Sequence, residues 1–181
     1  MDKILLQFFD ICRLKIGPQD LPASKLLMWF VLLAYGTLAL LLTVEEKGLA
    51  VAIQVGIVDT LLLSGLTYIV VWVRDFPERY VQVLSAMAGC SVLLALMLWP
   101  LLALQQYGAS GGGNFFIVVA TLLLWVWLLW QVAIIGNIFK HALDTSMWMS
   151  LIIACFYLFL SYRVMRTLFF SPEVTTVVPV T

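Results

Sequence analysis

The residue of this 181-residue chain most conspicuously placed to do chemistry is Asp59, the lone acid in the apolar stretch Leu49 to Val73, LAVAIQVGIVDTLLLSGLTYIVVWV. An α-helix rises ~1.5 Å per residue, so this stretch exceeds the ~30 Å hydrocarbon core of a bilayer and sets the carboxyl well inside it. A carboxylate there costs ~2.5–3.5 kcal/mol on insertion scales, so it must face other helices, keep its proton or find a partner. Arg163 lies in the last apolar stretch, roughly 10 Å below its outer end, and Asp59 lies roughly 15 Å below the outer end of its own. Overlapping depths make Asp59 and Arg163 a candidate intramembrane pair, with Arg166 at the headgroups. Two other accounts stay open. Asp59 is protonated or satisfied by Thr60, Ser64 or Gln54 while Arg163 snorkels to the surface, or Asp59 serves a proton or ion pathway, for which one acid is a sparse relay.

The remaining candidates carry less chemistry. His141 is the only histidine, follows Lys140 at a helix end, and with Gln131 and Asn137 one to two turns earlier forms a candidate polar patch on the cytoplasmic face. One histidine makes neither a metal site nor a catalytic pair, and no nucleophile has a partnered base, so an enzyme is not expected and no catalytic or metal residue is assigned. Cys12, Cys90 and Cys155 stand far apart, outside any CxxC or Cys/His cluster, and Cys90 and Cys155 read as small hydrophobes within apolar runs. Gly111, Gly112 and Gly113 lack the following Lys-Ser/Thr of a phosphate loop. Trp125, Trp127 and Trp130 could border a quinone or haem, but axial ligands are missing and lipid-facing packing is the simpler account, so no cofactor is expected. Gly56, Thr60 and Ser64 repeat at four-residue spacing, as do Ser85 and Gly89, which lets helix backbones approach closely; a self-association face is the weaker alternative.

The elements that must position these residues follow from composition. Hydrophobic residues make up 64% of the chain and charged residues 11%, with mean hydropathy +1.07, far from a soluble domain's ~45–50% apolar share. Zero net charge and the absence of a basic field exclude nucleic acid as a partner. The pattern predicts an all-α integral membrane bundle with five transmembrane helices: Leu26 to Val44, Leu49 to Val73, roughly Val81 to Leu104, Phe115 to Phe139 and Met147 to Phe170. Residues 2–16 place Leu5, Phe8, Phe9, Cys12 and Ile16 on one face, either in the membrane interface or packed under the bundle, and no cleavable leader is expected. The chain thus divides into an amphipathic interfacial helix and linker, 1–25, a five-helix domain, 26–170, and a flexible tail, 171–181.

The connections are short. Gly17-Pro18 and Leu21-Pro22 break the first helix, and Ser24 caps the next. Glu45 to Gly48 make a tight turn, Arg74 to Arg79 a charged turn stopped by Pro77, and Gln105 to Asn114 a flexible uncharged loop. Pro100 can kink the third span near its end, and Lys140, His141 and Asp144 make the last turn.

Orientation follows from the excess of Lys and Arg on the cytoplasmic side. With the N-terminus inside, Lys3, Arg13, Lys15, Lys25, Arg74, Arg79 and Lys140 lie there, against Lys47, Arg163 and Arg166 outside. Trp29, Trp72 and Trp148 then share the cytoplasmic boundary and Trp99 marks the other, with the C-terminus periplasmic. A fifth segment that only enters the membrane would instead return the C-terminus to the cytoplasm.

With these spans in view, Asp20 to Ser24, DLPAS, and Trp130 to Trp148, WQVAIIGNIFKHALDTSMW, give a chain that resembles the bacterial branch of the Yip1-like membrane proteins. The resemblance implies a multi-pass protein of the bacterial inner membrane. Eukaryotic members look like trafficking factors of internal membranes that engage small GTPases and one another, and GTPase engagement is not expected here. The expected role is a non-enzymatic scaffold or accessory subunit of a larger membrane complex, with membrane lipids, other subunits or itself as partners. The alternative is a small proton- or ion-coupled transporter or channel using Asp59.

Overall fold

The computed structural model describes residues 2–169, apart from the side chains of Asp2, Lys3 and Glu46; the expected flexible tail lies outside them. The chain is all-α, with no strand among the described residues: α1 Asp2–Cys12, α2 Lys25–Lys47, α3 Leu49–Val73, α4 Tyr80–Tyr107, α5 Asn114–Leu143 and α6 Met147–Phe169. Five of these helices, α2 to α6, are long and apolar enough to cross a bilayer, and the protein is a multi-pass membrane protein.

α1 ends at Cys12, short of the expected residue 16, because the chain turns left-handed at Leu14 (φ 61°) ahead of Gly17-Pro18. Its apolar stripe is split. Phe8, Ile11 and Cys12 are buried in the bundle core, whereas Leu5, Leu6 and Phe9 stay exposed. Gly89 on α4 receives Phe8 so closely that a Cβ there would overlap the ring. The linker is then tied down by Gln82 of α4, whose amide donates to the Leu21 carbonyl at 2.8 Å, and by Asn137 of α5, which donates to the Ile16 carbonyl at 3.4 Å.

Ser24 caps α2 by accepting from the Leu27 N–H at 3.3 Å, as its position predicts. The turn from α2 to α3 is tighter than expected: helical bonding continues through Lys47, and Gly48 alone (φ 77°) ends one helix and opens the other. The hairpin closes on glycine. A Cβ on Gly56 would sit 2.9 Å from the Gly36 carbonyl oxygen, and one on Gly36 would sit 2.9 Å from Thr60 Oγ1.

Between α3 and α4 the charged turn forms around Asp75 (φ 59°) and Pro77–Arg79. α4 continues past Pro100 to Tyr107, so the expected long loop contracts to a wide helical turn, Gly108–Gly112, with Gly111 (φ 121°) and Gly113 (φ 96°) reversing the chain. α5 runs to Leu143, which puts Lys140 and His141 inside the helix rather than in the turn; Asp144 (φ 48°) makes the reversal. One guanidinium nitrogen of Arg79 lies within hydrogen-bond reach of the His141 and Ala142 carbonyls, at 3.4 and 3.1 Å, and of the Asp144 carboxylate at 3.1 Å. A cation therefore serves the orphan carbonyls at the negative end of the α5 dipole.

These contacts seal one end of the bundle. Residues 83–90 of α4 and 134–139 of α5 are buried on every side, surrounded by α1, the linker and the other long helices. Toward the Gly48 end, α4 and α5 lose this cover and become largely open to their surroundings.

Candidate functional site

The sealed half meets the open half at a polar cleft around Asp59 to which all five long helices contribute. A cavity of about 240 Å³ is lined by Tyr35 from α2, Asp59 and Leu63 from α3, Met87 and Ser91 from α4, Gln131 and Ile135 from α5, and Tyr157, Leu158, Ser161 and Tyr162 from α6. A second lobe of about 300 Å³ shares Tyr35, Asp59, Ser91 and Gln131 and runs on past Thr43, Leu98 and Trp127 toward the Gly48 end. Below the cleft, on the α1 side, Met87, Thr67 and Phe139 are almost wholly buried. The polar side chains are thus concentrated around Asp59, Ser91 and Gln131, and the second lobe is walled mainly by apolar side chains on its way toward the Gly48 end.

Asp59 is half-buried, and the Tyr35 hydroxyl donates to its Oδ2 at 2.6 Å. A short O–H···O⁻ bond of this kind is among the stronger hydrogen bonds available to a carboxyl. Tyr35 can make it because α2 and α3 touch through Gly36 and Gly56, so the residue just before Gly36 is held at the α3 surface. Ser91 and Gln131 face the same space and make no side-chain hydrogen bond among the described residues.

Arg163 does not reach Asp59. It is exposed, and the ion pair found among the described residues is Arg79 with Asp144 at 3.1 Å. Rotation is the cause: Tyr157, Leu158, Ser161 and Tyr162 share the side of α6 that lines the cleft, and at ~100° per residue Arg163 falls on the opposite side. Arg166 is also exposed, 3.5 Å from the Tyr162 hydroxyl. The internal alternatives fail too. Thr60 and Ser64 donate to their own helix, to the Gly56 and Thr60 carbonyls at 2.8 Å each, and Gln54 is exposed.

The small-residue seams are occupied inside the chain. Gly56 and Thr60 pack on Gly36; Ser64 accepts through its carbonyl from the Tyr80 hydroxyl at 3.3 Å; Ser85 donates to Val81; and Gly89 takes Phe8 from α1 rather than another span. The expected cytoplasmic patch is divided. Asn137 is buried against the linker, His141 lies half-buried beneath Gly17 with Nδ1 2.9 Å from the Asn137 carbonyl oxygen, and Gln131 belongs to the cleft two turns away. Lys140 is half-exposed beside them.

Cys12 and Cys90 are buried, and the Cys90 thiol points at the Phe8 carbonyl oxygen, 4.0 Å away. Cys155 is exposed on α6. No cluster of three metal-ligating side chains occurs among the described residues.

Sequence reasoning missed Tyr35, Ser91, Tyr157 and Ser161. A signal was there for the two tyrosines: membrane tyrosines favour the headgroup boundary, and these stand deep within apolar stretches. Comparison with protein-family models, curated proteins and solved structures finds no match.

Proposed function

We propose that the protein is a small, non-enzymatic, proton- or ion-coupled carrier of the bacterial inner membrane, working through Asp59. One observation carries this reading: an intramembrane carboxyl, hydrogen-bonded to a hydroxyl and not to a cation, faces a cleft to which all five long helices contribute. Ionisable groups buried in spans and facing an internal cavity mark ion pathways. Carrier sites lie near the bilayer midplane, where helices from different parts of the chain meet. With the N-terminus cytoplasmic, the second lobe of the cleft runs toward the periplasmic side. The test is flux in proteoliposomes. The wild-type protein raises proton or monovalent-cation leakage above protein-free vesicles and Asp59→Asn abolishes the increase, whereas equal leakage from both proteins sinks the carrier.

A second reading is a scaffold or accessory subunit of a larger complex, or a homo-oligomer. What favours it is a groove of about 460 Å³ on the outer face of the α2–α3 hairpin, walled by Trp29, Leu33, Gly36, Ile53, Gly56 and Ile57, where a foreign helix could approach the glycine seam. Purification from mild detergent tests it, and a lone monomer under all conditions argues against it.

Kinship with the bacterial Yip1-like proteins stays part of the proposal. The two segments that carry the resemblance belong to regions that adjoin in the fold, since Gly17 sits on His141 and Ile16 on Asn137 beside the linker to Ser24. An intramolecular docking of this kind would account for both segments being distinctive.

A further inference from the structure

The Asp59 cleft has one acidic group and no basic one. None of its lining residues is Lys, Arg or His, and the ion pair found among the described residues lies elsewhere, between Arg79 and Asp144. Tyr35 occupies Oδ2 of Asp59, while Oδ1 has no donor among the described residues. Ser91 and Gln131 stand beside it with hydrogen-bonding capacity unspent, and the rings of Tyr35, Tyr157 and Tyr162 form part of the wall. We infer that this cleft binds a small organic monocation, an amine or quaternary ammonium, with Asp59 as counter-ion and the tyrosine rings as its cage, in competition with a proton on the same carboxyl.

Size and donor chemistry select the class. A cavity of about 240 Å³ has room for roughly eight waters at ~30 Å³ each, too much for a bare ion and suited to an organic cation of comparable volume. Hard metal cations draw about six to eight oxygens into a tight shell, whereas here one carboxyl, the three free polar side chains of Ser91, Gln131 and Ser161, and three tyrosines line one space. Aromatic faces attract organic cations, and more strongly where water is excluded. An N–H of an amine could also donate to Oδ1, with Ser91 or Gln131 accepting another.

Charge balance supplies the competition. The carboxyl is neutral when it holds a proton, and the site is neutral again when an ionised carboxylate holds one monovalent cation. Binding to the protonated form therefore breaks the Asp59 O–H bond, sends that proton to water and leaves the cation in its place. The other titratable groups facing the cleft are Tyr35 of α2 and Tyr157 and Tyr162 of α6; α4 presents Met87 and Ser91, and α5 presents Gln131 and Ile135, none of which titrates. Lowering the pH thus weakens binding through Asp59 alone.

This inference rests on reading the Asp59 cleft as the working site, but its test is separate from flux. Tetramethylammonium and n-butylammonium are titrated calorimetrically into the full chain in detergent micelles, with sodium as the reference ion and buffers of unequal ionisation heat to count protons. Both organic cations are expected to bind saturably, to release about one proton per site at acidic pH, and to be unaffected by equimolar sodium. Asp59→Asn, which keeps the side-chain shape, should weaken binding about thirtyfold or more, while Arg163→Ala leaves it unchanged. Thermal unfolding of Asp59→Asn in the same micelles, expected to match the wild type closely, guards against a variant that merely unfolds. No binding by the folded wild-type protein, sodium matching the organic cations, or equal binding by folded Asp59→Asn overturns the inference. Binding without flux removes the carrier and keeps this site; Asp59-dependent flux without binding does the reverse.

Discussion

At the α1 end of the bundle, most polar groups that enter the interior are answered within the chain, Asn137 by the Ile16 carbonyl, Gln82 by Leu21 and the last α5 carbonyls by Arg79, and the exception is the buried Thr67 hydroxyl, which has no hydrogen-bond partner among the described residues. In the cleft two turns away, Ser91 and Gln131 are answered by nothing among the described residues, and Asp59 by a single hydroxyl. The same helices build both regions, so the difference is one of purpose. A closed polar network rigidifies a fold, whereas partly exposed polar groups without a partner in the chain stay available to a ligand. Substitutions at the sealed end should therefore change stability, and substitutions in the cleft should change binding with little effect on stability.

The largest structural effect is expected from Gly56→Leu. Its Cβ meets the Gly36 backbone oxygen at 2.9 Å, which cannot move aside without parting α2 from α3, at a cost of about 3 kcal/mol. Thermal unfolding in detergent should show a clear loss, while Gly65→Leu, where a Cβ meets nothing within 4 Å, should not. Equal losses would mean that the hairpin seam is not special.

Gly89→Val comes next, at about 2 kcal/mol, because the Phe8 ring it would displace is itself buried. The sharper readout is release of α1: trypsin should cut after Arg13 or Lys15 faster than in the wild type. An unchanged digestion rate would show that α1 is held by something other than Phe8.

Arg79→Ala removes the side chain that serves the end of α5 and should cost about 1–2 kcal/mol, discounted because the Asp144 half of the contact is largely exposed. Hydrogen exchange at the α5–α6 turn should rise, and a turn that exchanges no faster would show the cap to be incidental.

In the cleft, Tyr35→Phe should shift stability by no more than about 1 kcal/mol yet expose the Asp59 carboxyl. Labelling by a hydrophobic carbodiimide, read by mass spectrometry, should become faster at Asp59. Slower or equal labelling would break the contrast between the two regions. The smallest effect belongs to Arg163→Ala, expected within about 0.5 kcal/mol because the side chain is exposed and outside the cleft.

The amino-acid sequence by itself determined the number, order and approximate limits of the spans, because crossing a bilayer depends on the length and apolarity of one continuous segment. It also placed Asp59 at depth, Ser24 as a cap and Pro77 in the turn, all properties of near neighbours along the chain. Helix ends were less legible, since α2, α4 and α5 each run on past their apolar residues into polar ones. Only the tertiary structure decided that Asp59 answers to Tyr35 and not to Arg163, that Gln131 belongs to the cleft, and that Asn137 and His141 receive the linker. The reason is rotational: depth is counted in residues, but which face a helix turns inward is settled by how glycines and large side chains on neighbouring helices fit together.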